Sequence, residues 1–258
     1  MVTFSTITTK IKEGIRWIRI SRLLILFNYF ILSCITLSVA VVLCLRWVSP
    51  PTSAMMMQQY LAKFLRGEKQ TSVRYKWVDW ELISRWVPLA AVASEDQKFF
   101  QHWGFDVEAI TEAMERNKKS SRLRGGSTIT QQVAKNLFLW SDRSYVRKGL
   151  ETYFTILLEL LWPKKRILEV YLNIAEFGRG IYGVNAASES LFGKSPRELT
   201  RSDSALLMAV LPNPKRMKAK NPSPYVRERA YWIEKQMEQL GGEAYVTGFK
   251  EYSQKVKR

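Results

Sequence analysis

Residues 144–162 read SYVRKGLETYFTILLELLW, and the apolar residues of this stretch recur at intervals of three and four. That spacing places them on one face of an α-helix, as expected for a helix that packs against a core. Five further segments share the spacing, and glycine or proline residues separate the segments. Strand-like alternation is confined to residues 72–78. The pattern predicts one compact, mainly α-helical domain over residues 83–258. The predicted helices cover residues 87–100, 128–139, 144–162, 163–175, 184–191 and 203–211, and a basic amphipathic helix follows Pro224.

The composition of the 258-residue chain narrows the classes of function. Its net charge of +17 predicts an anionic partner, such as a nucleic acid, a phospholipid or a phosphorylated substrate. A hydrophobic content of 47% is enough for a core and excludes wholesale disorder. The chain has a single histidine, and its two cysteines, Cys34 and Cys44, lie in one apolar run. These counts argue against most metalloenzymes, Cys/His proteases and disulfide frameworks.

Residues 23–45, LLILFNYFILSCITLSVAVVLCL, carry no charge. As a helix they would be roughly 35 Å long, enough to cross a hydrocarbon core of about 30 Å. A cleavable signal peptide is the alternative, but the apolar run and its basic leader are both long for one. Basic residues dominate the leader, so the positive-inside rule places it in the cytoplasm and the rest of the chain outside. We therefore expect a cytoplasmic tail (1–22), a transmembrane helix (23–45), a membrane-proximal connector (46–82) and an extracytoplasmic domain (83–258). That compartment argues against nucleic acid as the partner.

The first candidate site is the stretch EDQKFFQHWG at residues 95–104. On a helix, Glu95, Phe99 and His102 would share one face, and Asp96 would point about 100° away. An acid in such a partly apolar setting has a raised pKa, which suits a general base. The alternative is a capping or ion-paired pair of acids at a helix end, because exposed acids are common.

The second candidate follows the diglycine at residues 125–126 and reads STITQQVAKN. Thr128 and Gln131 have the spacing of an N-terminal capping box, and the free N–H groups of that helix end would form an anion site. Gln131 and Lys135 lie four residues apart, so their amide and ammonium groups would point the same way. A well-capped helix with no role in function explains the same residues equally well.

The third candidate is a basic segment that includes RSYVRKGLE at residues 143–151. Arg143, Arg147 and Glu151 are spaced at fours, and a surface ion pair of this kind contributes only about 0.3–0.5 kcal/mol. Residues 116–148, however, contain nine basic residues and one acidic residue. That density favours binding of a diphosphate, which guanidinium groups bind well. Downstream, residues 165–184 combine a core-type helix with closely spaced glycines, which mark a tight turn that a ligand can approach.

Taken in chain order, EDQKFFQHWG, GGSTITQQVAKNLF, RKGLE and KKRILEVYLNIAEFGRGIYGVNAAS resemble the motif set of the peptidoglycan glycosyltransferases, glycosyltransferase family 51. The resemblance extends from Glu95 to about Pro214. The same domain occurs in bifunctional penicillin-binding proteins, in which a transpeptidase follows. Here 44 residues follow Pro214, and no serine begins a Ser-x-x-Lys motif. We therefore expect a monofunctional member of the family from a Gram-negative bacterium, without a transpeptidase half.

The resemblance implies a lysozyme-like helical fold with a mobile jaw against the bilayer. It also implies a reaction in which the 4-hydroxyl of GlcNAc on lipid II attacks C1 of the MurNAc that links the growing glycan to undecaprenyl pyrophosphate. The α-pyrophosphate is thereby inverted into a β-1,4 bond. By motif position, Glu95 resembles the general base and Glu151 the second acid of the cleft; Asp96 and His102 are expected to be structural supports. The residues expected to bind substrate are Lys135, Arg143, Arg147 and Lys148 at the pyrophosphate, with Ser127 and Gln131 lining the cleft.

The remaining expectations also follow from the resemblance. No cofactor is required, and a divalent cation, Mg²⁺ or Mn²⁺, that bridges Glu151 and the pyrophosphate is left open. The partners are lipid II, the undecaprenyl-linked glycan, the inner membrane and other proteins of wall synthesis or cell division, with the catalytic domain in the periplasm. One alternative is a lysozyme-like lytic murein hydrolase, but cleavage of a neutral glycosidic bond needs no cationic cluster. The other alternative is a non-enzymatic scaffold of the division machinery.

Overall fold

In the computed structural model of the chain, residues 4–65, 73–119, 126–142, 144–242 and 244–245 are described. The chain divides into two compact units, residues 1–45 and 46–258. The first unit is one helix, α1 (Phe4–Cys44). Its segment Arg22–Cys44 has 23 residues and a mean hydropathy of 2.2, so it is long and apolar enough to cross a membrane.

The second unit is mainly α-helical, as predicted. The unit also contains a short three-stranded sheet. Its first strand precedes α3 in the sequence, and its other two strands lie between α7 and α8. The helices are α2 (Ala54–Leu65), α3 (Trp86–Glu95), α4 (Val107–Lys119), α5 (Ile129–Phe138), α6 (Tyr145–Leu161), α7 (Lys164–Ile174), α8 (Gly183–Ala187), α9 (Arg201–Ala209) and α10 (Pro224–Gln239). The strands are β1 (Arg74–Tyr75), β2 (Glu176–Gly178) and β3 (Ile181–Tyr182), and the minor turns are 3₁₀ segments at Trp80–Leu82 and Pro196–Glu198 and a π-helical segment at Ser188–Phe192.

Capping side chains set where several predicted helices begin. The Thr128 hydroxyl accepts the backbone N–H of Gln131 before α5, and the Ser144 hydroxyl accepts that of Arg147 before α6. Ser223 has the same role before α10, where Pro224 occupies the first helical position. These contacts satisfy N–H groups that have no partner within the helix. The helices predicted over 128–139, 144–162 and 163–175 are thus confirmed to within about one residue at each end.

The helix predicted over residues 87–100 is wrong at its C-terminal end. α3 ends at Glu95, and Asp96 has a non-helical backbone (φ −162°, ψ 76°). The Asp96 carboxylate instead accepts the backbone N–H of Ile129 and bonds His102. These tertiary contacts outweigh the helical periodicity of the sequence, so Glu95, Phe99 and His102 do not form one helical stripe.

The core of the second unit is built by α5, which packs on α6 and α7, and by α3, which packs on α9 and α10. In the small sheet, β3 is the central strand and pairs in parallel with β1 and antiparallel with β2. Gly183 begins α8 with a φ of +78°, and a Cβ there would lie 2.4 Å from the carbonyl oxygen of Asn173. Only glycine fits this close approach. The side chain of Asn173 in turn bonds the backbone of Val78, so α7 also fixes the connector.

Candidate active site

Glu95 occupies the last position of α3, at the point where α3 meets α5. Its Oε2 accepts a 2.9 Å hydrogen bond from the Gln132 side chain. Its Oε1 lies 3.9 Å from a guanidinium nitrogen of Arg229 on α10, and the carboxyl side chain is 16% exposed. Burial raises the pKa of Glu95, while the Gln132 hydrogen bond and the Arg229 charge oppose that shift. The raised pKa agrees with the sequence expectation, but the enclosure arises from tertiary packing and not from a stripe with Phe99 and His102.

Asp96 and His102 form a support next to Glu95. The buried Asp96 carboxylate bonds His102 Nε2 at 2.8 Å and accepts the Ile129 N–H at 3.0 Å. Ile129 is the first residue of α5, so the Asp96 carboxylate lies at the positive end of that helix. The contact fixes the end of α3 to the start of α5, and therefore fixes Glu95 relative to Gln132.

The capping box predicted at the start of α5 is confirmed. The Thr128 hydroxyl accepts the N–H of Gln131, and Gln131 Oε1 accepts the N–H of Thr128 at 3.0 Å. The expected anion site at this helix end is not free, because Asp96 already binds the Ile129 N–H. Gln131 is buried in the capping box, and it is Gln132 that lines a cavity together with Lys135.

Glu151 is buried on α6, and its carboxylate forms ion pairs with two basic side chains. Arg147 Nη1 lies 2.6 Å from one carboxylate oxygen, and Lys148 Nζ lies 2.5 Å from the other. Lys135 is near this cluster, since the charges of Glu151 and Glu95 raise its pKa while those of Arg147 and Lys148 lower it; burial has the largest effect and leaves the pKa lowered. In the described part of the chain, Lys135 has no carboxylate within ion-pair distance. It is thus a half-buried cation that is not neutralised by a direct partner.

A cavity of about 600 Å³, here called the cationic cavity, contains the Lys135 side chain. Four basic side chains line it against one acid, Glu176, so the cavity favours an anionic ligand. The Tyr171 hydroxyl also belongs to it, is buried, and has no hydrogen-bond partner among the described residues. Burial, with smaller contributions from Glu95 and Asp96, raises the Tyr171 pKa well above its usual range, so the hydroxyl remains a neutral donor. The basic side chains are those of Lys63, Lys135, Arg179 and Lys215.

A second cavity has a volume of about 440 Å³ and is here called the Glu95 cavity. It is lined by Glu95, the acceptor of the Glu95–Gln132 hydrogen bond. Glu95 lines this cavity, together with Ser127 and Trp232, while Gln132 lines the cationic cavity. The carboxyl and its hydrogen-bond donor therefore connect two separate cavities.

The structure brings several of the predicted site residues close to one another. Ser127 lies with Glu95, and Lys135, Arg147, Lys148 and Glu151 form one cluster. Arg143 lies outside the described residues. The sequence analysis missed Gln132, Tyr171, Arg179, Lys215 and Arg229. Gln132 could have been found, because it lies three residues before Lys135 and therefore shares a helix face with it.

The residues near Glu151 do not fit a divalent cation in this conformation. Both carboxylate oxygens already accept hydrogen bonds from cationic side chains, which would oppose a metal ion. Within the described part of the chain, no group of three acidic, histidine or cysteine side chains is close enough to hold a metal.

Comparisons with known proteins show what this chain is similar to. A family model described as transglycosylase matches residues 58–238. A biosynthetic peptidoglycan transglycosylase of Pseudomonas entomophila is 51% identical over 209 residues, which cover 81% of this chain and 88% of the relative. Proteins of the same name from Xanthomonas euvesicatoria and Stutzerimonas stutzeri are each 50% identical, over 82% and 88% of this chain and 85% and 94% of the relatives.

Proposed function

This chain belongs to the transglycosylase family, and on that basis we propose that it is a peptidoglycan glycan-strand polymerase that acts on lipid II. The growing glycan, linked to undecaprenyl pyrophosphate, is the donor, and lipid II is the acceptor. The observation that carries the proposal is the position of Glu95 and Gln132 between a cationic cavity and a second cavity. This arrangement suits a base with one anionic donor on one side and an acceptor on the other.

Glu95 is the proposed general base. The 4-hydroxyl of the acceptor GlcNAc loses its proton to the Glu95 carboxylate as its oxygen bonds to C1 of the donor MurNAc. The raised pKa makes this carboxylate a stronger base than an exposed one, and the Gln132 hydrogen bond favours the ionised form that must accept the proton. Asp96 and His102 act as structural supports that hold the end of α3 in place.

The cationic cavity is the proposed site of the leaving group. As the bond between C1 and the phosphate oxygen breaks, its electron pair passes to the pyrophosphate, and negative charge develops there. Lys135, which has no carboxylate partner among the described residues, is positioned to neutralise that charge. The nucleophile attacks from the face opposite the leaving group, so one displacement converts the α-linkage into a β-1,4 linkage.

Glu151 has a different proposed role from Glu95. Both of its oxygens accept hydrogen bonds from Arg147 and Lys148, so the carboxylate fixes the positions of these two cations near Lys135. We assign pyrophosphate contacts to Arg147, Lys148 and Arg143, and lining of the cleft to Ser127. Gln131 contributes through the capping box that fixes the start of α5.

Membrane attachment suits a lipid-linked substrate. We propose that the segment Arg22–Cys44 anchors the chain in the inner membrane, with the N-terminus in the cytoplasm and the catalytic domain in the periplasm. A reporter fused to the C-terminus that is active only in the periplasm tests the orientation.

The decisive test of the function is direct polymerisation. The full chain in detergent is incubated with lipid II, and the products are separated before and after lysozyme digestion. We expect lysozyme-sensitive polymer together with release of undecaprenyl pyrophosphate. A protein that instead cleaves preformed glycan and makes no polymer would be the lytic hydrolase that we considered as the alternative.

A further inference from the structure

A third cavity of the second unit, of about 450 Å³, shares no lining residue with the two cavities at Glu95. It is here called the aromatic cavity, because Phe100, His102, Trp103 and Trp162 contribute aromatic rings to its lining. The chain builds it from the turn after α3, the junction between α6 and α7, and Arg46. Apart from His102, which supports the end of α3, its lining residues have no role in the proposed reaction.

A buried polar atom of this cavity has no hydrogen-bond partner among the residues that the structure describes. His102 Nε2 bonds the Asp96 carboxylate at 2.8 Å, and the His102 side chain is only 10% exposed. His102 Nδ1 has no hydrogen-bond partner among the described residues. In the neutral imidazole whose Nε2 proton is directed to Asp96, Nδ1 is a hydrogen-bond acceptor and can bind a ligand that donates a hydrogen bond.

Apolar side chains are exposed at the edge of the same cavity. Trp103 is 72% exposed and Leu160 is 62% exposed, whereas Trp162 is buried within it. Large apolar side chains that remain in contact with water beside a cavity indicate a surface that is covered in the working protein. An acyl chain is a chemically suitable cover, and tryptophan is frequent where protein meets the membrane interface.

One cation of the cavity is available to an anion. Lys164 pairs with Glu159, and Lys165 pairs with Glu81. Arg46 is exposed, donates one N–H to the carbonyl oxygen of Leu161 at 2.7 Å, and has no carboxylate within 4 Å among the described residues. Its remaining guanidinium N–H groups can therefore bind a phosphate.

Chain connectivity places this cation close to a bilayer. Arg46 follows Cys44, the last residue of the apolar segment, by two positions, so it is within about 7 Å of the end of that segment. If the segment spans the membrane as proposed above, Arg46 lies at the level of the lipid headgroups, where anionic lipids concentrate near basic residues.

We propose that the aromatic cavity binds one anionic glycerophospholipid of the surrounding bilayer, of the phosphatidylglycerol type. Its phosphate binds the Arg46 guanidinium, a hydroxyl of its headgroup donates to His102 Nδ1, and its acyl chain covers Trp103 and Leu160. The proposal rests on membrane attachment of the chain and not on the polymerisation reaction. A zwitterionic choline lipid lacks both the net charge and the hydroxyl donor.

The single histidine of the chain provides a specific probe. The full chain, purified without a histidine tag and labelled with ¹⁵N-histidine, is placed in nanodiscs of phosphatidylcholine with increasing fractions of phosphatidylglycerol. We expect the Nδ1 resonance of His102 to move from its position in pure phosphatidylcholine as the fraction of phosphatidylglycerol increases. The midpoint of that change measures the affinity for the anionic lipid.

A matched pair of arginine variants tests the site. Arg46 stacks on Trp47 at 5.2 Å and Arg85 on Trp86 at 5.3 Å, and both are exposed, but only Arg46 lines the cavity. Arg46→Gln should raise the midpoint at least about tenfold, since charge-assisted hydrogen bonds are lost, while Arg85→Gln should leave it unchanged. An unmoved resonance, an equal response to both lipids, or equal effects of the two variants in folded protein would each overturn the proposal.

Discussion

At the scale of single residues, the proposed role of Glu95 as the general base is tested by replacing its carboxyl group. Glu95→Gln keeps the shape of the side chain but cannot accept a proton. We expect it to lower the polymerisation rate by about 10²–10⁴-fold, with an unchanged melting temperature. Glu108→Gln is the matched control, because Glu108 lines the same cavity and is 77% exposed. Near wild-type turnover of Glu95→Gln would contradict the assignment of the base.

Removal of the Gln132 hydrogen bond should change the dependence of kcat on pH. The base must be ionised, so the rate should fall as the pH drops through the raised pKa of Glu95, above the usual carboxyl range near about 4.3. Gln132→Ala removes a donor that lowers this pKa, so the acidic limb of kcat against pH should move to higher pH. Asn136→Ala, in the cationic cavity, should leave the limb in place. An unmoved limb in Gln132→Ala would argue that Gln132 does not control Glu95.

Variants of Lys135 and Lys215 compare the loss of a preorganised cation with the loss of an exposed one. Both line the cationic cavity, but Lys135 is half-buried and Lys215 is exposed. Lys135→Ala should lower kcat by roughly 10²–10³-fold at any salt concentration, as expected when a preorganised group is lost. Lys215→Ala should have a small effect that disappears at high salt, because water screens exposed charges. Equal losses that vanish together would mean that the cavity acts only through its overall field.

Individual residues of the candidate site could be predicted only where they belong to a recognisable sequence motif. Glu95, Lys135 and Glu151 were proposed as site residues from motifs that resemble those of the family, and the structure brings them to one region. Arg229 and Lys215 carry no local signal, because they reach the site from the C-terminal part of the chain through tertiary packing. The raised pKa of Glu95 was expected in direction, although the packing that causes it was not.

At the scale of secondary-structure elements, Asp96 acts as a joint between α3 and α5. Asp96→Ala leaves the Ile129 N–H and His102 Nε2 buried without a partner, so we expect a loss of about 2–5 kcal/mol in the free energy of unfolding. Asp106→Ala is the control, since Asp106 accepts the Ala109 N–H at the more exposed start of α4 and should cost about 1 kcal/mol. Denaturant unfolding of the full chain in detergent measures both, and equal costs would contradict the role of the joint.

The same joint shows why some elements could be predicted and others could not. α5, α6 and α7 have regular apolar spacing and capping or breaking residues at their ends, so local rules fix their bounds. The end of α3 depends on contacts between Asp96 and residues far along the chain, which no window of sequence contains. The π-helical turn at Ser188–Phe192 likewise interrupts a helix that the periodicity predicts as continuous.

At the scale of the whole molecule, the apolar helix and the catalytic unit have separable roles. Residues 46–258 form a compact unit with its own core, so removal of residues 1–45 should leave it folded. In detergent, where lipid II and enzyme are both dispersed, the truncated protein should polymerise lipid II at a rate close to that of the full chain. In liposomes its rate should fall by about tenfold or more, because the anchor no longer holds enzyme and substrate on one surface at high effective concentration.

Replacement of residues 23–44 by an unrelated apolar helix separates anchoring from any specific contact of this segment. If the segment serves only to confine the enzyme to the membrane, the replacement should restore the liposome rate while the detergent rate stays constant. The measurements are initial rates of lipid II polymerisation in both media, with circular dichroism to confirm that each protein is folded. A folded truncation that is inactive even in detergent would show instead that residues 1–45 contribute to the catalytic site itself.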